Sequence, residues 1–582
     1  MRVRLSEALR LARSAPGNGA PFVVVLACGF TPHLLQTFLA AHLQRAMPTR
    51  RVVVESGLFA DTAGTLESAV RRDVQAVVLP LEWADLDPRL GFRGAGAWSA
   101  AAIPEIAASA RSMLDRIAGA IAALPAGWPV AVALPGLPLP PLFSPVGVQA
   151  SAEELALRAG VEAFASGIAA GRGCAVLHSG HLDELSPAAE RYDFRSDLAS
   201  GFPYKLGHAD ALAAGLSALV APAAPRKGLI TDLDDTLWSG TVGEVGPDGV
   251  TWDLSSHSQV HSLYQNLLAA LASEGVLIGA ASKNEPAAVE RAMGRADLLI
   301  RPERIFPCEV SWNAKSAAVE RILRTWNVGA DSVVFVDDSP MELAEVAAAH
   351  PGIECILFPG NDYPKAFALL RRLRDLFGKP RVSAEDALRL ESIRQGEVFQ
   401  QSAAGSAPET FLERADAEIA VDFETGAEDN RVLELVNKTN QFNLNGVRCA
   451  PAEWRARLAR PGAVLAVIGY RDRFGPLGRI AVAQGRVEGS RLHIETWVMS
   501  CRAFARRIEH RTLQTLLAAC HVGELYFDFA PTARNSPLQE FFGGLLEALP
   551  TGPFALSREQ FECHCPPLYH CVVEIKEAKT YG

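Results

Sequence analysis

No run of 18 apolar residues occurs in this 582-residue chain, so hydropathy excludes a helical membrane span. The stretch from Met1 to Gly19 holds scattered arginines and no apolar segment before a cleavage site; no secretory signal is expected, and the expected location is cytoplasmic. Long basic runs are missing as well. With 56 Lys and Arg against 66 Asp and Glu, the formal charge is −10, a poor balance for nucleic acid as a main partner. The ten cysteines are scattered with no Cys-x-x-Cys spacing, which excludes a disulfide frame and reads as cytosolic thiols. There is no internal repeat and no low-complexity tract.

What is present is ordinary globular material, 49% hydrophobic with 47 Gly and 37 Pro, in a chain too long for one core. Apolar runs at Phe22–Cys28, Arg51–Glu55, Gln75–Leu79, Val130–Leu134 and Cys174–His178 alternate with helical periodicity, as at Leu34–Leu43 and Ala152–Ala169. Short continuous apolar strands between helices predict a buried parallel sheet. After a Pro/Ala-rich linker at Ala221–Arg226 the alternation resumes, with strands at Gly228–Thr231, Val276–Ala281, Ser332–Val336 and Ile353–Phe358 and helices at Tyr264–Ser273, Ala287–Met293 and Ala314–Trp326. This second doubly wound unit ends near Gly378, and Arg381–Thr410 reads as a charged helical spacer. The remainder differs: strands at Ile419–Phe423, Val464–Tyr470, Arg479–Val487, Leu492–Val498 and Glu524–Phe529, with helices at Asn430–Thr439 and Ala505–Cys520, predict an α+β meander.

The chemistry concentrates in Thr231-Asp232-Leu233-Asp234-Asp235-Thr236-Leu237-Trp238, directly after a strand, where doubly wound sheets bind ligands. Alternation puts Asp232 and Asp234 on one side. Close carboxylates favour a hard, oxygen-seeking cation, and magnesium suits them because it also bridges to phosphate. A screened carboxylate can attack phosphorus, and a second acid can protonate the leaving group. Ser282 ends the next strand and can donate to a phosphoryl group; Lys315 offers positive charge to the same oxygens. Asp337 and Asp338 end a third strand and supply the remaining metal carboxylate. Singly each piece could be a helix cap or a surface lysine. Four in order on three strands point to a phosphoryl site.

This middle segment resembles the haloacid dehalogenase (HAD) superfamily, and within it the FkbH-like group. The likeness lies in Asp232–Trp238 followed by Gly240-Thr241-Val242-Gly243-Glu244, in Ser282-Lys283-Asn284, and in Phe335–Pro340. The resemblance implies Asp232 as nucleophile, Asp234 as acid/base, and Ser282 and Lys315 as phosphate contacts. It implies magnesium held by Asp232, the Asp234 carbonyl and one of Asp337 and Asp338, with Asp338 the first choice. Only 50 residues separate Asp232 from Ser282, and 33 separate Ser282 from Lys315, which leaves no room for a large cap domain. An open site suits a bulky or protein-linked substrate.

The flanks fit the same group. Asn437-Lys438-Thr439-Asn440-Gln441-Phe442-Asn443-Leu444, Asp472-Arg473-Phe474-Gly475, Ser500-Cys501-Arg502 and Pro531–Asn535 resemble its acetyltransferase (GNAT)-like tail. In the pyrophosphate turn Arg502–Arg507, Ala505 and Arg507 replace glycines, which would crowd a close phosphate approach; Arg502 and Arg506 remain candidates for that phosphate. Cys501, before a helix start and three arginines, reads either as an acyl-carrying thiolate or as a small buried residue. Cys563-His564-Cys565 with His570 and Cys571 lacks zinc-site spacing and reads as paired terminal strands. The amino-terminal segment resembles SGNH-type hydrolases through Ala27–Thr31 and Pro203–His208 but lacks their Gly-Asp-Ser and Asp-x-x-His; Cys28 and Thr31 are weak substitutes for a nucleophile, and a scaffold, lid or docking role is expected.

The expected layout is therefore an SGNH-like α/β domain over 1–222, expected to be non-hydrolytic because its hydrolase motifs are missing, a HAD-like Rossmannoid domain with minimal cap over 227–378, and a linker helix with an α+β GNAT-like domain over 379–582. The resemblance implies a magnesium enzyme that dephosphorylates an acyl donor, 1,3-bisphosphoglycerate, and loads the glyceryl unit on an acyl carrier protein through its phosphopantetheine arm, in natural-product biosynthesis such as that of polyketides. A stand-alone phosphatase with structural flanks, or a non-catalytic carrier-binding module, are the alternatives.

Overall fold

β-Branched runs such as Val23-Val24-Val25 and Val52-Val53-Val54 favour extended backbone, and in the computed structural model of the chain they are strands. The structure describes residues 3–576 except 14–20, 95–98, 143–147, 173, 361, 424, 427–428, 440, 474, 501–502, 505, 533–534 and 547–548, and, within 380–414, all but 382, 386, 389–391, 393–394 and 412–413. Two units result, Met1–Ala224 and Pro225–Gly582, and the break falls inside the expected Pro/Ala-rich linker.

In the first unit, β1 (Phe22–Leu26), β2 (Val52–Ser56), β3 (Ala76–Pro80), β4 (Val130–Ala133) and β5 (Ala175–Val176) form a parallel sheet in the order β2-β1-β3-β4-β5. One face packs on the helices Ile103–Ala123 and Ala152–Arg172, the other on His33–Ala46 and Leu206–Val220. Burial on both faces explains why these strands read as unbroken apolar runs.

The second unit opens with a parallel sheet of β6 (Gly228–Thr231), β7 (Leu277–Ser282), β8 (Ile305–Val310), β9 (Val333–Asp337) and β10 (Glu354–Leu357), ordered β10-β9-β6-β7-β8. The order reverses between β6 and β9, so their carboxyl ends flank the crevice where such sheets bind ligands. β8 is not among the expected strands; Pro307 interrupts its pattern, and as an edge strand it tolerates a residue without an N–H. Trp326, fully buried, lies across β6 and β7: a Cβ on Gly228 would come within 2.4 Å of its ring and one on Gly279 within 2.8 Å. Gly228→Ala is accordingly expected to destabilise this unit by about 1–3 kcal/mol through overpacking. Urea unfolding followed by tryptophan fluorescence measures this, and an unchanged midpoint would remove Trp326 as the reason for the glycine.

The same unit ends in a mixed sheet of β11 (Glu418–Asp422), β12 (Phe442–Asn443), β13 (Ala463–Asp472), β14 (Gly475–Glu488), β15 (Arg491–Met499), β16 (Glu524–Phe527), β17 (Phe554–Ser557) and β18 (Cys571–Lys576). The β13-β14-β15 run is the expected antiparallel meander. β16 pairs in parallel with only the first part of β15, Arg491–Ile494; beyond that point β12 takes its place, Phe442 opposite Met499. Asn445 Nδ2 donates to the Glu495 and Asp528 carbonyls at 3.1 Å each, and Asn535 Nδ2 to those of Asn443 and Ala530 at 3.0 Å each. The divergence of the two parallel strands is thus filled by the chain's own backbone. One expectation fails here. Cys563 and His564 are not on a strand but on the helix Arg558–His564, started by a capping box between Ser557 and Gln560; only Cys571 begins a strand.

Candidate active site

Asp232 is the first residue beyond β6, and its amide still donates to the Val336 carbonyl of β9 at 2.9 Å, so its backbone stays aligned with the sheet. Leu233, Leu237 and Trp238 are fully buried and anchor the turn that follows. Inside it the amides of Thr236, Leu237 and Trp238 converge on the Leu233 carbonyl, and Asp235 takes a left-handed conformation with φ of 49°. An Asp accepts that conformation more readily than most residues. Asp234 has hydrogen-bond partners of its own. Asp234 Oδ1 accepts from the Trp238 indole (2.8 Å) and the Val242 amide (3.1 Å), and Oδ2 from Asn284 Nδ2 (2.9 Å).

Lys315, first residue of the helix Lys315–Trp326, sends its buried ammonium between two acids, 3.0 Å from Asp232 Oδ1 and 2.6 Å from Asp337 Oδ2. Burial alone would lower the lysine's pKa; Asp232 and then Asp337 outweigh it, and the net shift is upward. Burial pushes the Asp232 carboxyl up to about 7, with Lys315 opposing and Asp337 adding to the rise. Asp338 is also shifted upward, by burial first and Asp337 second. Oxygens of Asp232, Asp337 and Asp338 lie within 4.8 Å of one another, the one such group of acids, histidines or cysteines among the described residues. The two neighbours differ in their partners. Asp337 has one oxygen on Lys315 and the other on the Ser339 amide at 2.8 Å, whereas Asp338 accepts a long bond from Thr236 Oγ1 at 3.4 Å.

Ser282, buried at the end of β7, accepts from Asn284 Nδ2 at 3.1 Å, and its carbonyl accepts the Ser311 amide at 3.1 Å. Asn284 therefore ties Ser282 to Asp234. Asn284 stands in the Ser282-Lys283-Asn284 stretch with no expected role of its own, although its place two residues beyond a strand-end serine puts it on the same side of an extended chain. Lys283, between them, instead pairs with Glu342 at 2.8 Å.

Five expected phosphoryl-site residues, Asp232, Ser282, Lys315, Asp337 and Asp338, thus stand at the carboxyl ends of β6, β7 and β9 or at the helix start beside them, with Asp234 one turn further on. Of the tail candidates, Cys501, Arg502 and Ala505 lie outside the described residues. Arg506 is 3% exposed, 3.3 Å from Asp472 and over the Tyr470 ring. Arg507 donates to the Pro567 carbonyl. In the first unit Cys28 is buried, its thiol pushed upward by burial and then by Asp85, the opposite of an activated nucleophile, and Thr31 Oγ1 donates to the Ser200 carbonyl.

A parallel sheet whose order reverses at an aspartate-bearing strand, with a lysine and two further acids closing on that aspartate, defines a Rossmann-like α/β fold with an acidic cluster at its crevice. Among solved structures, the N-terminal part of the protein BF1531 from Bacteroides fragilis, described as containing a phosphatase domain complexed with Mg, matches with a TM-score of 0.51 at 17% identity, over 65% of this chain and 100% of that one. The likeness is one of fold. An uncharacterized protein from Corynebacterium glutamicum ATCC 13032 Kitasato is 19% identical over 26% of this chain and 98% of its own, but its TM-score of 0.19 carries no argument. No protein-family model matches the chain, and no curated protein does.

Proposed function

We propose that the Asp232 site is a magnesium-dependent phosphoryl-transfer centre. The observation that carries the reading is one lysine ammonium shared by Asp232 and Asp337, beside a third acid, at the reversal point of a parallel sheet. Three carboxylate groups with oxygens this close form a hard donor set that fits magnesium rather than zinc or copper. Asp232 and Asp338 would hold the ion, Asp338 because its carboxylate has the weaker internal contact, with the Asp234 carbonyl as a further donor. When bound, magnesium neutralises phosphoryl oxygens and lessens their repulsion of a carboxylate.

The chain's own steps follow. Asp232 attacks phosphorus in line, and the bond to the leaving oxygen breaks. Asp234 protonates that oxygen, then takes a proton from the water that opens the aspartyl-phosphate. Asn284, through Asp234 Oδ2, fixes the acid's direction. Ser282 and Lys315 hold the transferring group.

The resemblance to FkbH-like proteins gives the finer reading: the donor is 1,3-bisphosphoglycerate, Cys501 captures the activated carboxyl carbon with loss of its phosphate, the Asp232 site removes the remaining phosphate ester, and an acyl carrier protein accepts the glyceryl unit on its phosphopantetheine thiol. The small insert supports a carrier-linked substrate, since only the short helix Val242–Val245 and the helix Gln259–Ser273 lie between β6 and β7, with no large cap domain. Intact-mass spectrometry of the full chain with 1,3-bisphosphoglycerate, magnesium and a phosphopantetheinylated carrier tests this. A glyceryl adduct on the carrier is expected, and its intermediate on the chain should vanish in Cys501→Ala. Phosphate release without any carrier adduct would leave a stand-alone phosphatase. An undiminished adduct in Cys501→Ala would reassign the thiol.

A further inference from the structure

The first unit contains a cavity of about 420 Å³ at the carboxyl ends of β1 and β3, the two strands between which its own sheet order reverses. Thr62, Glu82 and Asp85 line it, together with the rings of Phe30, Phe59 and Tyr192. The donors around the two acids are already used. Asp85 Oδ1 accepts from the Gly29 amide (2.7 Å) and the Thr62 hydroxyl (2.6 Å), and Oδ2 from the Glu82 amide (2.8 Å). Glu82 accepts from the Tyr204 hydroxyl at 2.9 Å and the Leu137 amide at 3.2 Å. Gly29 permits this closeness, because a Cβ there would lie 2.3 Å from Asp85 Oδ1.

This arrangement decides the sign of the ligand. An anion would need the Gly29 amide and the Thr62 hydroxyl, which the chain has committed to its own carboxylate. Each carboxylate has about four acceptor directions, so both acids keep room for a donor. Acids also dominate the lining by number: Asp61, Glu82, Asp85 and Asp197 against Arg93 and Arg116, of which Arg116 is doubly bonded to Glu67. Burial pushes Glu82 up to about 8 and Asp85 upward, a strain that an incoming positive charge would relieve. The wall already attracts one cation, since the Arg93 guanidinium lies 5.7 Å from the centre of the Phe59 ring.

We propose that this cavity binds a small organic cation, a primary ammonium on an apolar or aromatic body, seated between Glu82, Asp85 and the aromatic wall. No bond is made or broken. The inference is independent of the phosphoryl reading and concerns only the first unit.

Titration calorimetry on the full chain with three probes of one shape, benzylammonium, benzyl alcohol and benzoate, tests it. Benzylammonium is expected to bind at least about tenfold tighter than benzyl alcohol, and benzoate to give no binding. Glu82→Gln should weaken the ammonium about tenfold. Phe59 is 58% exposed, so Phe59→Ala should leave the melting temperature in place while weakening the ammonium severalfold; this variant carries the test should Glu82→Gln fail to fold. Absence of benzylammonium binding at millimolar concentration, an affinity for the alcohol or benzoate equal to it, or ammonium binding untouched by Phe59→Ala overturns the proposal.

Discussion

Asp232→Asn is expected to stop phosphate release in the presence of magnesium, with a fall on the order of 10⁴-fold or more, as when an enzyme loses its nucleophile. The change keeps the side chain's size and leaves Lys315 bonded to Asp337 at 2.6 Å, so the fold should survive and the loss should be chemical. Phosphate release assayed with a small ester such as p-nitrophenyl phosphate, alongside a melting curve, distinguishes the two. Release within tenfold of the parent rate would end the nucleophile assignment, whereas a lost melting transition would mean the carboxylate is structural. Asp234→Asn should behave differently: its one oxygen can still accept from Trp238 and Val242, Asn284 loses its acceptor on the other side, and proton transfer to the leaving group is lost.

Lys315→Met is expected to have the second largest effect, and it appears first in stability. Asp232 and Asp337 are both buried, and removing the ammonium they share leaves uncompensated charge in the interior, a cost of about 3–5 kcal/mol. Saturating magnesium should restore part of this by mass action, since it binds the folded form. Activity should still fall roughly 10²- to 10³-fold, because a fixed positive group no longer faces the transferring oxygens. Denaturant melts in EDTA and in magnesium, compared between variant and parent, measure both parts. A variant as stable as the parent in EDTA would show that the buried acids do not depend on the lysine.

Much of this was readable before the fold. Strands that are buried on both faces need no solvent-facing residues, so their apolar runs mark them within about a residue, and the acids that follow them stand out by contrast. Asp232, Ser282 and Asp337 were legible for that reason: each interrupts or closes such a run. β8 was not, because Pro307 and Glu309 break its pattern at the sheet edge, where neither is penalised. Nor could spacing separate Asp337 from Asp338. Their difference lies in which oxygen meets a lysine 22 residues earlier and which amide follows, facts of tertiary contact.

In the tail, Asn443 and Asn445 hold backbone together: Asn445 donates to the Glu495 and Asp528 carbonyls, and the Asn443 carbonyl accepts from Asn535. An amide side chain has a donor and an acceptor to offer, and sequence does not say whether a ligand or the chain itself will take them.

If Asp232, Asp337 and Asp338 are all ionised, they and the Lys315 ammonium sum to −2; burial, which pushes Asp232 up to about 7, opposes that state, and a divalent ion that brings the sum to zero favours it. Without the ion the acids oppose a phosphate dianion; with it that opposition is reduced, and the lysine and ion would face the dianion together. Ion first, substrate second is then the order of arrival that electrostatics favours, and the wandering esters of an ion-poor compartment would pass the site untouched.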